Sequence, residues 1–351
     1  MACAMRSIRM NTEQQAVLDV RALSVSHRGA RGELAALRDV SFELRAHECL
    51  GLVGESGSGK TQLLHALMGL CAPNARVSGS AIYQGQELIH ASAATLGAVR
   101  GRRLGLVFQD AMGALNPYLR IGVQLCEGAR AQLGLTRRAA WQRAASLLET
   151  VQIDDPARRL RQYPHELSGG MRQRVMIAMA LMCEPEVLLL DEPTTALDVT
   201  VQAQVLSVLR ELRVRTGVAM IFVTHDLGVL AAIADRVAVM YAGRIVEVAP
   251  AAQLYAAPRH PYTRALLRAL PRLDAPLGER MAAIPGQPPV AGDDTPGCAF
   301  APRCSLADGR CRTVPQLREL GGKSDCAVAC HVDDPTQRAA GAGTWLEPAH
   351  E

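Results

Sequence analysis

The segment Gly54-Glu55-Ser56-Gly57-Ser58-Gly59-Lys60-Thr61 constrains this chain more than any other. It fits G-x-x-x-x-G-K-[ST] and stands between a short apolar run, Cys49–Val53, and the helical pattern Gln62–Leu70. Strand, glycine loop and helix in that order open an α/β unit. The glycines let the backbone curl so that successive N–H groups point inward at phosphate oxygens, and the helix adds about half a positive charge at its N-terminus. Lys60 would bridge the β- and γ-phosphates, and the Thr61 hydroxyl would hold Mg²⁺. Read alone, the loop says only that a nucleoside triphosphate binds.

A second segment completes a reactive centre. Val187-Leu188-Leu189-Leu190 reads as a central parallel strand covered on both faces, and it ends in Asp191-Glu192. Ligands of open α/β sheets sit at such strand ends. Asp191 would bind Mg²⁺, directly or through water. Glu192 would orient and deprotonate an attacking water, a role worth roughly 10²–10⁴ in rate.

Alternating or apolar runs at Ala16–Val25, Val40–Leu44, Ala219–Val223 and Val237–Met240 predict further strands, with a helix at Val201–Arg215. Ile121–Glu149 carries a helical pattern, so the region 110–184 reads as a mostly helical insertion. After Gly243–Val248 prolines recur from Pro258 to Pro296, and Gly286–Gly297 reads as an extended linker. There is one phosphate loop and no internal repeat, hence one nucleotide-binding module.

Composition sets the outer limits. With 351 residues and 49% apolar content, the chain has ample core and is not globally disordered. A net charge of +4 is mild. The small basic groups Arg100, Arg102, Arg103 and Arg158, Arg159, Arg161 are expected on solvated helix faces, with no nucleic acid as partner. No apolar run reaches the ~18 residues of a spanning helix, and the first residues lack the apolar stretch of a secretory signal. The expectation is a cytosolic chain, and any membrane role must come from docking to a partner.

The segment Leu167-Ser168-Gly169-Gly170-Met171-Arg172-Gln173-Arg174 narrows the family, because a serine and two glycines at a helix start again form an anion-binding arrangement. Here the chain resembles the ATP-binding cassette (ABC) family, whose signature motif this matches. Gln109 lies at that family's Q-loop, Ala196-Leu197-Asp198 at its D-loop, and His225 at its switch histidine. The resemblance implies an ATP-hydrolysing P-loop ABC nucleotide-binding domain of α/β class, with a RecA-like core and a helical subdomain, about residues 14–257. It implies a head-to-tail cassette pair in which each ATP meets the phosphate loop of one subunit and the signature, Leu167 to Gln173, of the other. Gln109 would join Thr61 and Asp191 at Mg²⁺ and link the γ-phosphate to the helical insertion; His225 would contact the γ-phosphate. One departure stands out: where the family usually stacks an aromatic on adenine, this chain has His27. Its smaller ring either weakens that stacking or is only a strand-end residue, with adenine held elsewhere.

Two later stretches, His260-Pro261-Tyr262-Thr263-Arg264-Ala265-Leu266-Leu267 and Ile284-Pro285-Gly286-Gln287-Pro288-Pro289, look like the C-terminal extension of oligopeptide/dipeptide importer ATPases. Gly297-Cys298-Ala299-Phe300-Ala301-Pro302-Arg303-Cys304 continues the likeness, so 258–351 is expected to be a small cysteine-containing extension. Cys298, Cys304, Cys311 and Cys330 fit the four-cysteine pattern that the family uses for a [4Fe–4S] cluster. Four thiolates would equally suit zinc, Cys326 competes as fourth ligand, and unliganded thiols stay open. Cys3, Cys49, Cys71, Cys126 and Cys183 read as small buried or neutral residues.

The resemblance implies the motor subunit of an importer for di- or oligopeptides on the cytoplasmic face of the inner membrane. Its expected partners are two membrane permeases, a second homologous ATPase and an extracytoplasmic substrate-binding protein. A nickel chelate or opine as cargo is the alternative, since cargo never touches this chain. A soluble ABC ATPase of DNA repair is disfavoured, because too few positions separate Lys60 from Leu167 for its long coiled coils.

Overall fold

The computed structural model describes residues 16–29, 32–195, 197–270, 283–289, 296–320 and 323–332. Among the described residues twelve strands form two sheets. β1 (Ala16–Gly29), β2 (Gly32–Arg45), β4 (Ala75–Tyr83) and β5 (Gln86–Glu87) make a four-stranded antiparallel sheet in the order β2-β1-β4-β5. The second, eight-stranded sheet contains β3 (Cys49–Val53), β6 (Leu104–Val107), β7 (Val187–Asp191), β8 (Ala219–Thr224), β9 (Arg236–Tyr241), β10 (Arg244–Pro250), β11 (Arg318–Leu320) and β12 (Lys323–Val328). Its order is β11-β12-β10-β9-β3-β8-β7-β6, parallel from β9 to β6 and antiparallel from β9 outward to β11.

The uninterrupted apolar runs are explained by burial on both faces. Leu188 and Leu190 of β7, Met220 and Phe222 of β8, and Val237 and Val239 of β9 enter one core together with the helices of the insertion. Their neighbours Val187, Leu189, Ile221, Val223, Ala238 and Met240 point the other way, into a core shared with the antiparallel sheet and the helix Lys60–Leu67. Each layer therefore covers one face of the parallel sheet, and the loops at its strand ends are left for chemistry.

The helical pattern expected over Ile121–Glu149 divides in two, Ile121–Leu133 and Arg137–Thr150. Gly134 ends the first at φ 64°, and the Thr136 side chain caps the second by accepting the Ala139 N–H. Arg100 and Arg159 are turned onto the protein: Arg100 Nε donates to the Met68 carbonyl at 2.7 Å and Arg159 Nη1 to Gln162 Oε1 at 3.0 Å.

The extension joins the main sheet. Val328 and Ala327 of β12 pair with Glu247 and Val248 of β10, so residues far along the chain lengthen the sheet that carries the phosphate loop. Phe300, Tyr262 and Cys326 belong to the same core as Phe222, and only Val328, Cys330 and Val332 form a small cluster of their own with Leu306 and Leu320.

Candidate functional site

Four neighbouring parallel strands, β3, β8, β7 and β6, end at Val53, Thr224, Asp191 and Val107. The phosphate loop, His225, Glu192 and Gln109 follow those ends, which brings together groups that are scattered along the chain.

The phosphate loop wraps its own lysine. Lys60 Nζ donates to the Gly54 carbonyl at 2.7 Å, to the Glu55 carbonyl at 3.0 Å and to Ser58 Oγ at 3.3 Å. Burial lowers the lysine pKa, opposed by the carboxylates of Glu192, Asp191 and Glu55. Two glycines are required here for different reasons. A Cβ on Gly54 would lie 2.2 Å from the Met240 carbonyl oxygen, and Gly59 takes a φ of 101°, where a Cβ would meet the Ala36 carbonyl at 2.6 Å.

Thr61 Oγ1 donates to Asp191 Oδ1 at 3.2 Å. Burial raises the Asp191 pKa, and the neighbouring Glu192 charge adds to that, against the Thr61 bond. A buried carboxylate and a hydroxyl beside a phosphate loop are hard oxygen donors suited to Mg²⁺, which keeps waters and shares phosphate oxygens. The loop, Lys60, Thr61 and Asp191 thus fit Mg·ATP.

Glu192 is the meeting point. Its backbone lies at φ 44°, a left-handed conformation rare for a residue with a side chain and often found where function demands it. Oε2 accepts from Gln109 Nε2 at 3.1 Å and Thr195 Oγ1 at 2.9 Å, and lies 3.3 Å from His225 Nδ1. No bond among the described residues engages Oε1. Gln109 is thereby drawn to Glu192, not to Thr61 or Asp191. The Thr195 bond was missed from sequence, although Thr195 stands directly in the stretch that follows the acidic pair.

The signature lies apart from this cluster. Ser168 caps the helix Gly169–Leu181 by accepting the Met171 N–H at 3.3 Å, and Arg172 Nε donates to the Leu167 carbonyl at 2.9 Å. Leu167 is buried, Ser168 and Gly169 are exposed, and none of the bonds among the described residues joins them to the phosphate loop. A Cβ on Gly170 would sit 2.4 Å from Val201 Cγ1, so glycine permits the close approach of the helix Val199–Thr216. Gln173 is buried, and its Nε2 finds no hydrogen-bond partner among the described residues. Asp198 caps Val199–Thr216 through the Val201 N–H at 2.9 Å; Ala196 lies outside the described residues. His27, in β1, holds Gln62 Oε1 at 3.1 Å through Nε2, a link to the phosphate-loop helix that sequence did not suggest.

Among the extension's thiols, burial raises the pKa of Cys298, and the charges of Cys311 and Cys330 add to it. Burial pushes Cys304 up to about 11, with Cys330, Cys298 and Cys311 contributing. Cys298 and Cys304 therefore lie within electrostatic reach of each other and of Cys311 and Cys330. Cys326 is turned elsewhere, its Sγ donating to Gln253 Oε1 at 3.1 Å. Among the described residues no three His, Cys, Asp or Glu side chains are gathered closely enough to hold a single metal ion. Cys49, Cys71, Cys126 and Cys183 all have pKa values raised by burial, Cys49 to about 12, as expected of inert packed thiols; Cys3 lies outside the described residues.

The extension also reaches the phosphate loop. Arg303 Nη1 and Nη2 donate to the two Glu55 carboxylate oxygens at 2.7 and 3.0 Å, and the Glu55 N–H donates to the Tyr262 hydroxyl at 2.9 Å.

Comparison with known proteins agrees with this architecture. Residues 37–195 match the family described as ABC transporter, and residues 246–311 match the oligopeptide/dipeptide transporter C-terminal region. The chain is 48% identical over 301 residues to the oligopeptide transport ATP-binding protein OppD of Haemophilus influenzae, covering 86% of this chain and 93% of that one. It is 47% identical over 308 residues to OppD of Escherichia coli K12, covering 88% and 91%. The fold matches a dimeric post-hydrolysis state of the ATP-binding cassette MJ0796 bound to ADP and Pi, at 24% identity and TM-score 0.61, over 67% of this chain and 98% of that one. It also matches cbiO1 of Clostridium perfringens, part of the transporter complex cbiONQ, at 26% identity and TM-score 0.59, over 69% and 91%. The chain belongs to the ATP-hydrolysing subunits of ABC transporters, in the branch that carries the oligopeptide/dipeptide-type C-terminal region.

Proposed function

We propose that this ABC ATPase is the motor of a peptide importer, turning ATP binding and hydrolysis into closing and opening of a cassette pair. The observation that carries the chemistry is the convergence of Gln109, Thr195 and His225 on one oxygen of Glu192, beside Asp191 and Thr61. The backbone of Gly54 to Thr61 would hold the phosphates, Lys60 would neutralise the β- and γ-phosphates, and Thr61 and Asp191, joined by Gln109 once it leaves Glu192, would hold Mg²⁺. That ion, when bound, neutralises charge on the phosphate oxygens. Glu192, steadied at Oε2, would take a proton at Oε1 from a water whose oxygen bonds the γ-phosphorus as the bond to the leaving ADP oxygen breaks, with His225 and Gln109 facing the γ-phosphate. His27 borders the adenine. The segment from Leu167 to Gln173, with Asp198, serves the ATP of the opposite cassette; Ser168 and Gly169 within it lie exposed.

Peptide cargo is supported by the C-terminal match and by relatives named as oligopeptide transport or peptide import proteins. The partners proposed are two permeases, a second ATPase and a substrate-binding protein, with this chain peripheral on the cytoplasmic face; no helix among the described residues is long and apolar enough to cross a membrane. Phe108, Met112, Tyr118, Leu119 and Val123 expose apolar surface beside Gln109, Tyr118 at 87%, and this patch is the proposed dock for a permease. The cassette is taken as residues 14–257, its helical subdomain as about 110–184, and the extension as 258–351.

Cys298, Cys304, Cys311 and Cys330 are proposed to hold a [4Fe–4S] cluster. Support comes from their number and from the placement of Cys298 and Cys304 near each other, Cys311 and Cys330. Tetrahedral zinc on the same four thiolates is the alternative. Anaerobic protein should carry iron and sulfide; zinc without iron would reverse the choice.

The deciding experiment is reconstitution with the permeases and the second ATPase in vesicles. ATP hydrolysis should rise when the binding protein is loaded with peptide. A rise with another ligand class, and none with peptide, would keep the motor and change its cargo.

A further inference from the structure

Two stretches of the extension that ATP chemistry leaves unused meet at Glu55 of the phosphate loop, and a third braces one of them. From the segment Gly297–Cys304 comes Arg303, buried at 7% exposure. Its Nη1 and Nη2 fork onto Glu55, Nη1 also reaches the Tyr241 hydroxyl at 3.2 Å, and Nε donates to the Pro285 carbonyl at 2.9 Å. From the first stretch comes Tyr262, whose fully buried ring packs 4.6 Å from Tyr241 and 5.4 Å from Phe300 and whose hydroxyl accepts the Glu55 N–H. From the proline-rich stretch come Pro285, which anchors the guanidinium, and Gly286, which passes beside Arg303.

Glu55 poses a problem that this arrangement solves. It is a carboxylate inside a loop that must receive a triphosphate, and like charges at that range repel. Arg303 neutralises the group and holds it back toward the extension in bidentate geometry. Burial works against the Arg303 charge, yet its bonds to Glu55 and Tyr241 outweigh that and keep its pKa above the ordinary arginine value. Tyr262 fixes the peptide between Gly54 and Glu55 by taking its N–H, which presets the curl of the loop that follows.

We propose that Arg303 and Tyr262 are positioning residues for the phosphate loop, so that ATP affinity at this site depends on the extension being seated against Glu55. The proposal rests on reading Gly54 to Thr61 as the ATP site. It makes the extension part of the nucleotide-binding machinery, although neither residue touches ATP.

The test is a double-mutant cycle in the assembled transporter, reading KM and kcat for Mg·ATP. Arg303→Met should raise KM about tenfold or more, the scale of one unscreened charge near a protein surface, with kcat within about twofold. In a Glu55→Gln background the same Arg303→Met change should raise KM little further, because no carboxylate remains to be neutralised. Tyr262→Phe removes one oxygen and leaves the packing, and should raise KM by a smaller factor. An unchanged KM in Arg303→Met and Tyr262→Phe would overturn the proposal. So would an equal loss with and without Glu55, which marks a merely structural arginine. Lys60→Ala separates the two levels: if it abolishes ATP binding while the Arg303 and Tyr262 variants bind normally, only this inference fails; if it binds ATP fully, the loop reading itself fails.

Discussion

The nucleotide centre and the C-terminal extension are assembled in opposite ways. Val53, Val107, Asp191 and Thr224 end four adjacent parallel strands, each covered on both faces, and the reactive residues follow as short loops. Their positions are inherited from a rigid sheet. The extension contributes the short strands β11 and β12, the helix Pro261–Arg268 and brief turns, and the largest apolar side chains among its described residues, Tyr262 and Phe300, are buried in the cassette's core. Its order is borrowed: from β10 through backbone pairing, from Tyr241 through ring packing, and from Glu55 through Arg303. Substitutions in the centre should therefore remove chemistry and leave the fold, whereas substitutions in the extension should loosen structure first and reach ATP through the loop.

The largest effect is expected from Lys60→Ala. ATP binding, followed by titration calorimetry, should fall below detection while the melting temperature without nucleotide stays near that of the parent. Retained affinity would contradict the loop assignment. Glu192→Gln should come next, slowing hydrolysis by roughly 10²–10⁴ with ATP still bound and the cassette pair held closed. Unchanged turnover would remove Glu192 from its role. Phe300→Ala probes the other region: a cavity among Tyr241, Tyr262 and His260 should cost about 3–5 kcal/mol and open the extension to protease before the cassette. If the cassette were cleaved equally early, the two regions would be one cooperative unit and the contrast would fail. The smallest change is expected from His27→Tyr, which offers adenine a wider face worth about 1 kcal/mol and gives up the bond to Gln62. Weaker binding in that variant would show that His27 serves the Gln62 link and not the base.

Much of the nucleotide centre was legible because its chemistry needs particular residues at fixed local offsets. A phosphate cradle needs glycines where φ is positive or backbones touch, as at Gly59 and Gly54. A helix start needs a capping oxygen, as at Ser168 and Asp198. A buried strand that ends in two carboxylates, Asp191 and Glu192, announces itself by contrast. Thr195 escaped notice because a threonine after such a pair has no distinctive pattern; only the turn of the backbone at Glu192 brings its hydroxyl within reach. The antiparallel sheet was legible strand by strand at β1 and β2, but β4 and its pairing with β1 were not.

The sequence by itself determined the reaction class and the local scaffolds of the loop, the acidic pair and the signature, since those depend on backbone conformation over a few residues. Tertiary structure alone decided which distant groups meet. It brought Gln109 and His225 to the same oxygen of Glu192, turned Cys326 toward Gln253 while Cys330 stayed near Cys298, and set Arg303 on Glu55 across 248 positions of chain. The physical reason is that an ion pair or a shared core has no period and no fixed spacing. It exists only where strand order and packing close the distance.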